Sequence, residues 1–376
     1  MNILFISYSF GDDSPVGVGA LRIANAMVEA GCFVYVITST TYLSNNPQLV
    51  IEVVSNIPRL PSRYSFVVGN ALQREVNYIS WEIKAKRCVG RIMQDKTIHG
   101  IYTRSTPICV CPVGIYGKNT FRVPLIMHFT DPLPAPEGWA NNHLYRKRMI
   151  KQMKEYVCCA DYISLGNEKM LQYQEEVLSI NFSKKSFVSP DPSSQLFTFL
   201  QEKESKDRIV LLYLGNIYGN RNPDELFSAI KRFDNPNLRV IIYGKSFSPA
   251  PSFVEFRKRT NDVLSAMKES DYLLDLDGDD ERPVFISSKL KDYLSVNRPI
   301  LSISPINSPT RELLNNLNTA VVSSNDCDSI YNALNVLMHK NFPNNVYLER
   351  NDLLNQFKAN TIVKDILLHF NMCYHN

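Results

Sequence analysis

NILFISYSFGDDSPVGVGALRIANAMVEAGCFVYVIT, residues 2–38, carries the pattern on which the fold turns. Residues 2–8 are a continuous apolar, β-rich run. A loop over 9–19 follows, holding Gly11, Pro15, Gly17 and Gly19. Residues 20–30 place Ile23, Ala26, Met27 and Ala30 at three- and four-residue spacing, which is one face of a helix, and Gly31 supplies a C-cap signal. Residues 33–38 (FVYVIT) are a second buried strand. Strand, glycine-bearing loop, helix and strand make a βαβ unit, whose product is a parallel sheet. Further strands are expected at 100–102, 125–128 and 162–165.

The same pattern restarts after residue 207. Residues 208–214 (RIVLLYL) are a strand, 215–222 a loop, and 223–233 a helix with Pro223 in its first turn. Residues 238–243 (LRVIIY) give the next strand, and 271–276, 299–303 and 320–323 give three more, separated by helix-like stretches. Two independent runs imply two parallel-sheet α/β domains, 1–190 and 191–350, joined across 186–207. Residues 351–376 read as one or two helices that pack on the second domain or cross back to the first.

A chain of 376 residues suits two domains better than one core. Its net charge of +4 is too small to imply nucleic acid. The charge is uneven: 20 Lys/Arg stand against 14 Asp/Glu in residues 1–190, and 21 against 23 in the rest. A basic first half fits a surface that meets anionic lipid or an anionic acceptor. The eight cysteines, at 32, 88, 109, 111, 158, 159, 327 and 373, show no zinc-ligand spacing and read as reduced thiols. No signal peptide precedes the first strand, and no apolar run approaches the roughly 20 residues of a membrane span. The expected location is the cytoplasm, with peripheral contact at an anionic membrane as a further option. Residues 143–154 (HLYRKRMIKQMK) bear on that option. They read either as an interfacial helix, with Leu144, Met149, Ile150 and Met153 on one stripe, or as a surface helix with a core-facing side.

In open parallel sheets, ligands bind outside the carboxyl ends of the strands, so polar residues that follow strands are the candidates. Gly17 and Gly19 precede a helix and let backbone amides approach an anion or a sugar; a plain turn is the alternative. His128 ends an apolar run and is followed by Asp131 and prolines, placing it for a sugar hydroxyl or, equally, for a structural role. Gly215, Asn216 and Arg221 lie in the loop before the second domain's first helix, where a guanidinium can grip a diphosphate. In DGDDERPVFISSKLKDY, residues 277–293, Ser287 or Ser288 can cap a helix that begins near Lys289. Free amides, a hydroxyl and Lys289 would there form a phosphate seat. Asp292 is placed for ribose hydroxyls, and Asp279, Asp280 and Glu281 for the transferred sugar. Ser308 and Thr310 offer a further helix start with donors for a leaving group. No cofactor or metal is called for.

With these residues in place, the chain resembles the family-4 glycosyltransferases of the GT-B type, in the branch that builds bacterial surface polysaccharides. The resemblance rests on the opening strand, glycine loop and helix, on MHFTDP, on LLYLGNIYGNRNPDELFSAI and, most specifically, on DYLLDLDGDDERPVFISSKLKDYLSVNRPILSISP. It implies two Rossmann-like domains facing a central cleft, the first binding the acceptor and the second the nucleotide-sugar. It further implies that Gly17 and Gly19 lie against the donor diphosphate or the acceptor, and that His128 contacts the transferred sugar. The family's arginine and the lysine five residues later fall on Asn216 and Arg221. Its two glutamates eight apart fall on Val284 and Asp292, so the first acid is missing. Asp279, Asp280 or Glu281 can then reach in from the loop, and Lys289 can replace the charge absent at Asn216.

The implied reaction moves a sugar from a nucleoside-diphosphate donor to a hydroxyl of a glycan or lipid-linked acceptor, with retention of configuration and without metal. Two alternatives share the architecture: a nucleotide-sugar epimerase and a non-catalytic sugar-nucleotide-binding scaffold. A dinucleotide-dependent dehydrogenase is disfavoured, because the first βαβ unit lacks the GxGxxG spacing and a ribose-binding acid.

Overall fold

In a computed structural model of the chain, the described residues are 1–12, 14–57, 70–137, 143–193, 196–201, 207–247, 249–260, 262–343 and 346–374. The chain divides into two compact units. One gathers Met1–Ala135, Asn142–Ser194 and Lys358–Asn376; the other gathers Pro136–Asn141 and Gln195–Phe357.

The first unit carries seven strands: β1 (Asn2–Ser7), β2 (Phe33–Thr38), β3 (Leu49–Val53), β4 (Gly100–Ser105), β5 (Leu125–Phe129), β6 (Tyr162–Leu165) and β7 (Ser186–Val188). Their order is β3-β2-β1-β4-β5-β6-β7, and every pairing is parallel. Helices α1 (Pro15–Glu29), α2 (Asn70–Asp95), α3 (Val110–Phe121), α4 (His143–Cys159) and α5 (Glu168–Leu178) connect them. β1, β4 and β5 are almost wholly buried, as strands covered on both faces must be.

Helix α1 begins at Pro15, five residues earlier than the apolar spacing suggests, because Ser14 caps it by accepting the Gly17 amide at 3.0 Å. Gly17 and Gly19 therefore stand in the first turns of a helix rather than in a loop. In α4, Met149 and Met153 of the stripe expected across 143–154 are buried and Ile150 is half-buried, while Leu144 is 81% exposed, so part of that stripe faces the core. Strand β7 occupies the start of the stretch expected to be a joint.

The second unit repeats the plan with β8 (Ile209–Leu214), β9 (Leu238–Tyr243), β10 (Val254–Arg257), β11 (Tyr272–Leu276), β12 (Ile300–Ile303) and β13 (Ala320–Ser323). Their order is β10-β9-β8-β11-β12-β13, again with every pairing parallel. Its helices are α6 (Asp224–Phe233), α7 (Val263–Lys268), α8 (Ser288–Leu294), α9 (Pro309–Leu314), α10 (Cys327–His339) and α11 (Val346–Gln356). In each sheet the order reverses at the first strand, so a crevice opens beside β1 and β4 in one unit and beside β8 and β11 in the other.

The final helix, α12 (Ala359–Met372), belongs to the first unit. Its Ile362, Val363, Ile366 and Phe370 pack with Phe5, Ile23 and Met27. Gly100 has no side chain because the Phe370 ring occupies that space: a Cβ there would lie 2.5 Å from it.

Among the described residues, no helix is long and apolar enough to cross a membrane. All eight cysteines are free.

Arg350 of α11 is fully buried and spends all five of its N–H groups. Nε donates to Thr319 Oγ1 at 3.1 Å, Nη1 to the carbonyls of Tyr293 (3.1 Å) and Val296, and Nη2 to those of Arg298 (2.8 Å) and Thr319 (3.2 Å). Burial lowers its pKa to about 10, which leaves it charged at neutral pH. The guanidinium thus pins the turn after α8 to the start of β13. Arg350→Met keeps the bulk and strands those acceptors, so we expect a loss of about 3–5 kcal/mol of stability, read as a lowered urea midpoint by circular dichroism.

Candidate functional site

At the carboxyl end of β8 the chain turns through Gly215, whose φ of +124° is glycine territory. A Cβ there would also sit 2.4 Å from Lys289 Cε. The loop runs through Asn216, Tyr218 and Asn220 to Arg221, whose Nε donates to the Leu276 carbonyl at 3.1 Å. That bond carries the guanidinium from the end of β8 to the end of β11, across the point where the strand order reverses. The guanidinium lies 5.0 Å from the Tyr218 ring centre, and Lys289 Nζ 4.9 Å from that of Tyr213.

Two acids share this place. Asp275, in β11, is fully buried; its Oδ2 accepts from Ser302 Oγ at 3.2 Å, across the β11–β12 register. Asp277 follows the strand, 8% exposed, and its Oδ1 accepts the Gly278 amide at 2.9 Å. Burial and the neighbouring Asp275 push the Asp277 carboxyl up to about 7. Burial also raises Asp275, against the pull of Lys289. Lys289 is lowered to about 8, by burial and by the like charge of Arg221. Arg221 stays charged: burial works against its proton, and Tyr213, Tyr218 and Asp277 outweigh it.

Four buried polar atoms in this part of unit 2 have no hydrogen-bond partner: Arg221 Nη1, Asp275 Oδ1, Asp277 Oδ2 and Thr310 Oγ1. Buried polar groups are nearly always paired, so several orphans at the carboxyl ends of β8, β11 and β12 call for an explanation. A polar ligand that supplies both donors and acceptors is one that fits.

The other candidates fall as follows. Ser287 is the N-cap residue of α8, but its side chain makes no cap bond; it is one of the groups that draw the Asp275 pKa down against burial. Ser288 is exposed and Asp292 half-buried in the same helix. Ser308 caps α9, accepting the Arg311 amide at 3.0 Å. Asn216 is a strut: its Oδ1 accepts the Lys245 amide at 2.8 Å and ties the loop after β8 to the loop after β9. Asp279 and Glu281 are exposed, while Asp280 accepts from Asn220 Nδ2. Val284 is buried at 3%, a packing residue.

In the first unit, His128 stands near the carboxyl end of β5, 1% exposed, with Nδ1 3.0 Å from Ser164 Oγ and its ring stacked on Tyr102. Gly17 and Gly19 are close-approach positions. A Cβ on Gly17 would meet Asp12 Oδ1 at 1.7 Å, and one on Gly19 would meet Arg104 Nη2 at 2.7 Å. Arg104, at the end of β4, is 1% exposed and ion-paired with Asp191. Burial opposes its charge, and Asp191 more than restores it. Asp131, nearby, is raised by burial and then by Asp191.

Asp275, Asp277 and Arg104 are the site residues that sequence reasoning passed over. The first two left a signal. In YLLDLD two acids stand two apart at the end of an apolar strand, hence on one face. Arg104 left none, since it follows a strand expected to end at Tyr102. Among the described residues, no group of three or more His, Cys, Asp or Glu is gathered as a metal site.

No family model and no curated protein matches the chain. Solved structures do. A glycosyltransferase from Rickettsia africae is similar at 12% identity and a TM-score of 0.65, covering 100% of this chain and 99% of that one. The lipopolysaccharide outer core galactosyltransferase WaaB, in its apo form, is similar at 12% and 0.65, covering 99% of both. A UDP-N-acetylglucosamine 2-epimerase is similar at 9% and 0.51, covering 100% of this chain and 97% of that one. Identities this low speak for the fold alone. With two parallel sheets built on the same strand order, the chain has the GT-B fold.

Proposed function

We propose that the chain is a retaining glycosyltransferase of surface-polysaccharide synthesis, moving a sugar from a nucleoside-diphosphate sugar to a hydroxyl of a glycan or lipid-linked acceptor. The observation that carries the reading is the cluster of orphaned polar atoms around Arg221 and Lys289 at the β8–β11 reversal. The diphosphate sits on Arg221 Nη1 and Lys289 Nζ, with the Thr310 hydroxyl as a further donor. Asp292 takes the ribose hydroxyls. Asp279, Asp280 or Glu281 takes the transferred sugar, work that a buried valine at 284 cannot do. The second unit thus holds the donor and the first the acceptor.

As the sugar–oxygen bond breaks, negative charge grows on the leaving phosphate. Cations already fixed beside it stabilise that growth without reorganising. Lys289, lifted onto the Tyr213 ring and partly desolvated, is such a cation. The acceptor hydroxyl attacks from the leaving group's own face, and the departing phosphate is the nearest base for its proton.

Epimerisation of the donor is the second reading. Asp277 favours it, since a buried carboxyl held near neutrality is suited to moving a proton at neutral pH. Incubating donor alone, with products resolved by NMR, separates the two: a new sugar isomer without acceptor replaces transfer by epimerisation.

Three outcomes test the site. Arg221→Ala should lower kcat by roughly 10²–10³-fold; undiminished turnover at saturating donor overturns the phosphate grip. The proton on Lys289 gives a pH signature. Its pKa of about 8 in the free protein means that it is charged below that pH and neutral above it. A bound diphosphate favours the charged form, so binding takes up a proton at pH 8–9, and affinity falls by up to about tenfold per unit above it. Titration calorimetry in buffers of different ionisation enthalpy reads that uptake, and Lys289→Met should abolish it. Thermal-shift screening against UDP-, GDP- and dTDP-sugars identifies the base, because at fixed concentration the tighter ligand stabilises more.

A further inference from the structure

Asp275 and Asp277 flank Leu276, the residue whose carbonyl holds Arg221 Nε. The β11–β12 ladder runs on past the strand's end, since the Asp277 amide donates to the Ile303 carbonyl at 2.9 Å. Residues two apart in such a ladder point their side chains to one face. Both carboxyls are buried, and each has one oxygen engaged and one open. Ser302 Oγ holds Asp275 Oδ2, and the Gly278 amide holds Asp277 Oδ1. Asp275 Oδ1 and Asp277 Oδ2 have no partner.

Two cations share the place, yet the acids do not pair with them. Among the described residues, no ion pair includes Arg221, Lys289, Asp275 or Asp277. Charges withdrawn from water and left unjoined are costly. With every group ionised, two cations and two anions cancel, and the cluster offers an anionic diphosphate no net attraction. A proton on the acids removes both difficulties. It relieves the repulsion of like charges on one strand face, and it leaves the cations in excess. Thr310, fully buried in the first turn of the helix after β12 and with Oγ1 unpartnered, marks the same strand ends as open for a guest.

We propose that Asp275 and Asp277 hold one proton between them, giving the cluster the net positive charge that admits a diphosphate. The inference rests on the donor reading above and extends it to two acids which that reading leaves without a task. The surrounding groups agree. Burial and then Asp275 raise Asp277 to about 7, with a smaller push from Asp280, against the Gly278 amide and Arg221. Burial raises Asp275 as well, against Lys289, Ser302, Arg221 and Ser287. Lys289 and Tyr213 are the other groups that Asp277 faces. In a coupled pair the proton belongs to both acids. A bound diphosphate favours the protonated pair, so binding takes up a proton as pH rises through about 7, below the Lys289 step at about 8.

The test couples calorimetry with carbon NMR. UDP-glucose, GDP-mannose and dTDP-glucose are each titrated into the full chain, in buffers of different ionisation enthalpy. We expect the bound donor to draw in protons in two steps as pH rises, the lower from the acid pair and the upper from Lys289. Asp277→Asn should remove the lower step alone, and Lys289→Met the upper alone. Asp275→Asn should also remove the lower step, because a single remaining acid leaves the cations in excess without a proton. At pH 8, Asp277→Asn should bind donor up to about tenfold more tightly than wild type, a gain that neither misfolding nor a purely structural role produces. In the free chain labelled at its aspartate carboxyl carbons, a titration near neutrality should be present and should vanish in Asp277→Asn. Absence of that titration overturns the proposal, as does a lower step that survives Asp277→Asn, or weaker binding by that variant at pH 8. If none of the three donors binds, the donor reading falls, and the carbon titration alone decides the proposal.

Discussion

Parallel strands joined by one-handed crossovers lay all their carboxyl ends along one edge, and that constraint positions everything else in the molecule. Where the order reverses, the connections leave for opposite faces and the edge stays open. In the second unit the opening lies between β8 and β11. The sequence brings there one guanidinium, one ammonium and two carboxyls, all largely withdrawn from water. Such a group is poor at stabilising a fold, since desolvation costs about as much as pairing returns. Its orphaned atoms sharpen the point. A packing solution would have closed them off, whereas a binding solution leaves them for a guest.

Legibility followed burial. The strands read from sequence, β1, β2, β4, β5, β6, β8, β9, β11, β12 and β13, are mostly interior and show as largely apolar runs. The three that escaped, β3, β7 and β10, are all sheet edges. LVIEV and VEFR mix charge into strands that are largely half-exposed, and SFV is only three residues long. Nothing in their composition separates them from loop. The site divides in the same way. Arg221 and Lys289 announced themselves as charges after strands. Asp275 was hidden inside an apolar run, and its importance appears only once Ser302, Ser287 and Lys289 are gathered around it.

The positions that depart from the resembled pattern have roles of their own. Asn216, where a first cation would stand, bridges two loops through Lys245 and so stiffens the ground under Gly215. Val284, where an acid would stand, is part of the packing. Gly19 accommodates Arg104, and Gly17 the carboxylate of Asp12, so these glycines serve close packing as much as any ligand. Charge lost at one position is met by geometry at others: Gly215 has no side chain, and Lys289 passes through the space that one would fill.

The return of α12 has a consequence for synthesis. The hydrophobic layer of the first unit is incomplete until Ile362, Val363, Ile366 and Phe370 have left the ribosome, whereas the second unit is whole once Phe357 has emerged. The usual vectorial order, in which the leading domain matures first, is therefore inverted. The first unit thus gains the last part of its apolar layer from residues that follow the whole of the second unit in the chain.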